Sequence, residues 1–427
     1  MKEVRIKIKN DKSIWLKLLE WSKSFKYVAA FLPQQTEQYP FGAFPKCIAV
    51  GNQKLNLSAP YFKSLEEYLT NNPSHKLYGY LGYDLKNELE NLKSKNESFI
   101  DWLPMQFFKA DCIIEFHQGE ILIKSEFAQR FKEQIEKSIE KDIDPQYHGS
   151  LVGKLKSWTS RDEYINTVKK LKKHIEEGDI YEINYCINFS VDVKDLDPFH
   201  VFNELCNNSP APFGSFLKLD HQYIISASPE RFIKLKDSKI ISQPIKGTAK
   251  RGTTKNEDEF LKKQLFESEK ERAENMMIVD LVRNDLAKSS ESGSVKVDEI
   301  FSIYSFQQVH QMISTISSKK KKEIHPVKVI ENAFPMGSMT GAPKIRAMQL
   351  IEDYENSKRN VFSGSIGYFN GLNEFDFNVL IRSIYYDEKL KKLNYEVGSA
   401  ITYDADPEAE YDECLLKAKA IERTLKL

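Results

Sequence analysis

The sequence predicts an α+β fold in which antiparallel strands form extended sheets and helices pack outside them. Three observations lead there. Residues 213–245 read FGSFLKL, YIISAS, RFIKL and KIISQPI, four short β-rich runs joined by turn-sized breaks. Near the C-terminus, NEFDFNVLIRSIYYD and KLNYEVGSAITYD form a second strand pair. The segments around them keep helical apolar spacing and carry their own start and stop signals. Strands grouped with strands, and helices placed outside them, indicate α+β.

From the N-terminus, Val4, Ile6 and Ile8 alternate with charged residues as a strand does. KLYGYLGYDLKNELENL sets glycines in an aromatic strand that then turns helical. A hairpin is expected over 113–123, turning at 117–119, with a charged helix near 128–141 after it. The loop DPQYHG marks a boundary, so the chain divides into 1–150 and 151–427. Ser160 caps a helix whose Tyr164, Val168, Leu171 and Ile175 hold helical spacing, and Gly178 ends it. The four runs at 213–245 read as one meander, and a single long helix is expected over about 256–287. The basic run at 319–322 is a solvated loop. A helix from about 326 stops before Pro335, and MTGAPKIRAMQLIEDYE begins another. Asp406 caps a last helix, opened by Pro407 and running to about Leu425.

Composition narrows the function. The 427 residues carry 62 basic and 62 acidic side chains, so no net field points to nucleic acid or an anionic membrane. No stretch approaches the roughly 18 apolar residues of a membrane span, and the charged N-terminus MKEVRIKIKNDKSIW is no signal peptide. Cys47, Cys112, Cys186, Cys206 and Cys414 are scattered, odd in number and without a C-x-x-C pair. They read as small core residues in a reducing, cytoplasmic protein.

Four elements carry possible chemistry. In the last helix Glu410, Glu413 and Lys417 share one narrow face, as an ion-pair ladder or as ligands. In KERAENMMIVDLVRNDLAKS, Glu271 and Glu274 lie one turn apart before an apolar run, where carboxylates need a partner or a metal. Two carboxylates from two helices, with substrate oxygens and water, suit Mg2+, although the spacing alone does not choose metal over salt bridge. The loop in FPMGSMTGAPKIRAM offers N–H groups before a helix, as an anion site or a purely structural turn, and lacks nucleotide P-loop spacing. In QPIKGTAKRG, Lys246 precedes Gly247. It is a solvated charge, or a nucleophile if a desolvated pocket lowers its pKa.

Together these elements are similar to the chorismate-utilising enzymes. The runs GDIYEIN, SASPERF, PIKGT, ENMMIVDLVRNDL, VHQM, FPMGSMTGAPKIRAM, SGSIGY, DFNVLIRS and VGSAITYDADPEAEYDECLLKA stand in that family's order from about 155 to 425. The resemblance implies one large interleaved antiparallel β-sheet sandwich with helices outside, with 151–427 as the chorismate-binding catalytic region and 1–150 as the N-terminal part of the same fold. It implies a chorismate-aminating enzyme. Members that aminate C2 carry PIAGT where this chain has PIKGT, so Lys246 implies amination at C4, through attack of the lysine on C2 and displacement of the lysine by ammonia. Glu230 matches the general acid/base for the departing hydroxyl and His310 a histidine near it, or else a buried structural one. Glu274 and Glu413 match magnesium ligands, with Glu410 a helper. Gly247, Thr248, Arg382, Gly398, Ser399, Ala400 and Lys417 match substrate-binding positions.

Three positions depart from the family pattern. Glu182 stands where many ammonia-using relatives have Gln and water-using ones have Lys, and a carboxylate there suits ammonia or ammonium. Phe362 replaces a Tyr, removing one hydroxyl contact to the substrate. Ala400 replaces a Gly and can donate its N–H only at negative φ. No G-x-C-x-G nucleophile segment is present, so ammonia is expected from a separate glutamine amidotransferase subunit. The chain ends near the family's last helix, so the expected product is 4-amino-4-deoxychorismate, the precursor of 4-aminobenzoate for folate synthesis. The competing readings are a C2-aminating, anthranilate-forming enzyme, which Lys246 disfavours, and a non-catalytic subunit that kept the fold.

Overall fold

The computed structural model describes residues 1–9, 11–34, 39, 41–141, 150–151, 153–307 and 309–427; the boundary loop DPQYHG lies outside them. The described residues form an α+β structure around two antiparallel sheets, of thirteen and ten strands. The larger runs from the edge strand Lys2–Lys7 through N-terminal strands to Tyr27–Phe31, then Phe213–Leu219, Gln222–Ser228, Ser383–Asp387, Lys392–Ile401 and Glu182–Asp195. The smaller runs from Ile245–Lys250 through Val309–Lys319, Lys239–Gln243, Arg231–Lys236, Phe375–Asn378 and Ser365–Asn370 to Lys76–Leu81 and Met105–Lys109. Strands from both sides of residue 150 enter both sheets, which is the interleaving that the sequence implied.

Tyr27–Phe31 shows why its sequence, YVAAF, is apolar throughout. Tyr27, Ala29 and Phe31 face a core shared between the sheets, while Val28 and Ala30 face a second core under the outer helices. A strand buried on both faces loses the polar alternation of a half-exposed one. The second core also takes Tyr164, Val168 and Leu171 from helix Arg161–Glu176 and Cys414, Ala418 and Ile421 from helix Pro407–Leu425. Helix Arg161–Glu176 starts as expected. Ser160 accepts from Glu163 N–H, the Glu163 side chain returns to the Ser160 N–H, and Gly178 takes a positive φ after the helix. Helices Ala128–Glu140, Pro326–Ala333 and Lys344–Tyr354 also fall where expected. All five cysteines are buried free thiols, and no described helix is long and apolar enough to cross a membrane.

Two expectations are corrected. The runs at 213–245 are two hairpins in different sheets: Phe213–Leu219 with Gln222–Ser228 belongs to the larger, Arg231–Lys236 with Lys239–Gln243 to the smaller. The chain changes sheet at Pro229 and Glu230. NEFDFNVLIRSIYYD divides in the same way, with Phe375–Asn378 in the smaller sheet, Ser383–Asp387 in the larger and a crossing at 379–382. The two crossings lie side by side. Val379 N–H donates to the Glu230 carbonyl at 3.0 Å, Ser228 Oγ to the Val379 carbonyl at 2.6 Å, and Ala227 N–H to the Arg382 carbonyl at 3.2 Å. Second, the long helix is broken. Ser268 follows Lys255–Glu267 and caps Glu269–Ala287 by accepting from Glu271 N–H.

Candidate active site

Lys246 lies on strand Ile245–Lys250, just before a shift in register against Val309–Lys319 that falls between Ile245 and Thr248. Gly247 makes the shift at φ +87°, and a Cβ there would meet Glu271 Oε2 at 2.9 Å. Such a bulge re-aims the adjacent side chains. Lys246 is only 8 % exposed, and its ammonium is hydrogen-bonded to Glu182, itself 1 % exposed, at the start of strand Glu182–Asp195. Gly341 and Ala342 pair with Ile183 and Glu182. Glycine is required at 341, because a Cβ would sit 2.1 Å from the Glu182 carbonyl oxygen. That close approach pins the backbone of Glu182, while its Oε2 is buried with no hydrogen-bond partner.

The nucleophile reading of Lys246 was conditional on a desolvated pocket that lowers its pKa. Burial does disfavour the ammonium, but Glu182, Glu274 and Glu230 outweigh it and hold Lys246 above the ordinary lysine value. Glu230, at the first sheet crossing, is buried, and burial pushes its carboxyl up to about 7 against the pull of the Ser338 hydroxyl and the Lys246 charge. Ser338, legible only as part of the loop FPMGSMTGAP, lines the same cavity as Glu230, and its hydroxyl is buried without a hydrogen-bond partner. That loop is not an open anion cradle. Gly337, Ser338, Met339 and Thr340 are buried, and the Met339 and Thr340 N–H groups bond the Met336 and Gly337 carbonyls.

The acidic elements meet between helices Glu269–Ala287 and Pro407–Leu425. Burial raises the carboxyl pKa of Glu271 and Glu410, and pushes that of Glu274 up to about 7. Glu274 Oε1 is buried and makes no hydrogen bond. Lys270, which no motif signalled, reaches across with its ammonium 3.4 Å from Glu410 and 4.0 Å from Glu274. Glu413 is half exposed. Burial favours its acid form, but Lys417 at 2.7 Å outweighs that and holds it below the ordinary value. Lys417 also donates to the Gly398 carbonyl at 2.8 Å. Ser399 shares a 2.8 Å hydrogen bond with the Tyr164 hydroxyl, and Ala400 keeps an ordinary backbone conformation, as N–H donation requires.

Four carboxylates from two helices, three with raised pKa and one with an orphaned oxygen, form a set short of positive charge. Their chemistry fits a hard divalent cation. Among the described residues no three acidic, His or Cys side chains close on one point.

Arg382 ends the second crossing at φ +52°. Burial lowers its pKa, and no carboxylate among the described residues pairs with it. It lines a pocket with Pro229, Phe306, Val309 and Gln311, and an unpaired guanidinium in such a place suits a carboxylate. Gln311 lines this pocket, and His310, named from the sequence, is its neighbour on the strand. Adjacent residues of a strand face opposite ways, and His310 faces away from Gln311. Its ring nitrogens bond Ser305 Oγ at 2.8 Å and Asp258 Oδ1 at 3.0 Å, so it ties helix Lys255–Glu267 to the sheet. Phe362 is likewise sealed in the core between the sheets, whereas Thr248 is exposed beside Gly247.

With this geometry in place, comparison with known proteins is direct. Residues 26–423 match the family model described as chorismate binding enzyme, and the chain belongs to that family. It is 43 % identical over 264 residues to the chloroplastic aminodeoxychorismate synthase of Arabidopsis thaliana, covering 61 % of this chain but only 28 % of that protein's length. It is 32 % identical over 366 residues to aminodeoxychorismate synthase component 1 of Bacillus subtilis (strain 168), covering 82 % of this chain and 76 % of that one. Its fold matches that of anthranilate synthase component I from Streptococcus pneumoniae TIGR4 with a TM-score of 0.76 at 23 % identity, over 93 % and 92 % of the two chains.

Proposed function

We propose that this chorismate-binding chain aminates chorismate at C4, as aminodeoxychorismate synthase component 1 does, giving 4-amino-4-deoxychorismate for 4-aminobenzoate and folate synthesis. The observation that carries the reading is Lys246, buried at the centre of the carboxylate site and in contact with Glu182. As free amine it attacks C2 while the double bonds shift and the C4–O bond breaks. Glu230, whose pKa near 7 keeps much of it protonated at neutral pH, gives its proton to the leaving hydroxyl, which departs as water. Ammonia then bonds to C4, the double bonds return and the C2–lysine bond breaks. The surplus proton on the new ammonium restores Glu230.

Arg382 and Lys417, with N–H groups near Gly398, Ser399 and Ala400, offset the negative charge of the substrate. Glu274 and Glu413, with Glu410 and Glu271 beside them, would hold Mg2+, which supplies a counter-charge for the ring carboxylate. Ammonia comes from a separate glutamine amidotransferase subunit, and the protein works in the cytoplasm. The test is product analysis with purified chain, chorismate, magnesium and ammonium. Product trapped as 4-aminobenzoate after addition of a lyase supports the reading. Anthranilate instead would replace it with the C2-aminating function.

A further inference from the structure

We infer that Glu182 is the proton acceptor that converts Lys246 from ammonium to nucleophilic amine. The inference rests on the covalent role of Lys246 proposed above and adds a base to it. An ammonium has no lone pair, so the buried lysine must lose a proton before it can bond to C2. The acceptor has to be inside the site, because Lys246 and Glu182 are 8 % and 1 % exposed.

Carboxylates facing Lys246 come from four elements: Glu182 from its strand, Glu230 from the crossing, Glu271 and Glu274 from the acidic helix, and Glu413 from the last helix. Glu230 has to be protonated already, since it delivers the proton that carries the hydroxyl away. Glu271, Glu274 and Glu413 belong to the cation set and make no hydrogen bond to Lys246 among the described residues. Glu182 alone of these five holds a hydrogen bond to the lysine, and its backbone is pinned by Gly341. Its Oε2 is buried without a partner, which leaves it open to accept an N–H of incoming ammonia.

The proton balance closes. Lys246 ammonium and Glu182 carboxylate become amine and carboxylic acid; the amine bonds to C2 as the hydroxyl leaves with the proton of Glu230. When ammonia bonds to C4, the lysine leaves C2 as neutral amine and recovers its proton from Glu182. No net proton enters or leaves in the transfer between Lys246 and Glu182, so below the pKa of Glu230 the attack rate is independent of pH.

The experiment uses the purified chain with magnesium and chorismate but no ammonia, following the Lys246 adduct by intact mass in single turnovers from pH 5.5 to 9. Wild type is expected to be flat below about pH 7 and to fall above it. In Glu182→Gln the lysine loses its proton to solvent instead. Below about pH 7 its rate should rise about tenfold per pH unit and then level off as Glu230 ionises, lying about 100-fold or more below wild type at the acid end, with chorismate KM little changed. Glu182→Asp should restore the flat profile at a reduced rate. A Glu182→Gln rate within threefold of wild type and flat below pH 7 overturns the inference while leaving the C4-amination reading standing. A wild-type chain that makes 4-amino-4-deoxychorismate without any Lys246 adduct overturns the covalent role and this inference with it.

Discussion

Two buried ion pairs flank the same strand, Glu182–Asp195, and they are built differently. Arg359 spends its full donor set on protein: Glu355 at 2.9 and 2.5 Å, the Met339 carbonyl at 2.6 Å, Ser363 Oγ at 3.2 Å and the Asn184 carbonyl at 2.8 Å. Glu355 in turn accepts from Cys186 N–H at 3.0 Å. Among the described residues Lys246 has one hydrogen bond, to Glu182, and Glu182 leaves an oxygen without a hydrogen-bond partner. A buried ion pair whose donors and acceptors are all matched holds strands in place. One that is half matched loses part of its desolvation cost without return, and clefts where such pairs sit beside carboxyls of raised pKa are sites waiting for a ligand.

The comparison can be broken at either pair. Lys246→Ala is expected to lower C4 amination by at least about 10³-fold while chemical denaturation stays close to wild type, because Glu182 can protonate once alone. A large loss of stability with residual amination would reverse the two assignments. Arg359→Met should do the opposite, costing about 3–5 kcal/mol of stability by denaturant titration, since it leaves Glu355 buried and uncompensated.

The site's unmatched charge also sets a pH dependence. Glu230 has a folded pKa of about 7 against an ordinary 4.5. A carboxyl raised in the folded state contributes its stability in full below the unfolded value and loses it as pH rises through the folded one. Glu230→Gln should therefore stabilise the ligand-free protein at pH 8 by about 3 kcal/mol and leave it unchanged at pH 4. Equal effects at both pH values would show that the carboxyl is not raised. The smallest effect sharpens the contrast as a control. Ser160→Ala removes a cap whose side chain bonds only Glu163 N–H and neither pair, and should cost about 1 kcal/mol with amination unchanged.

Much of the site could be read in the sequence because its residues sit on local signals. Pro407 after Asp406 fixes where the last helix starts, and hence that Glu410, Glu413 and Lys417 share a face. Lys246 was visible as a lysine just before Gly247, a glycine at which the backbone can approach a ligand. His310 and Gln311 show the limit. Both belong to VHQM, and only the register of Val309–Lys319 against Ile245–Lys250 determines which of them faces the pocket. A shift of one residue exchanges the faces, and the sequence contains no record of that shift. Lys270 escaped for a similar reason, since a lysine one turn before Glu274 looks like an ordinary surface pair until Glu410 arrives from another helix.

By itself, then, the sequence determined the family, the order of strands and helices, their caps and the set of chemical groups, because each depends on residues near one another in the chain. The tertiary structure decided which hairpin joins which sheet, that Glu230 and Arg382 stand at neighbouring crossings, and that Lys246 meets Glu182. Strand propensity is the same for both sheets, and charge pairing across 64 residues of chain is set by packing alone.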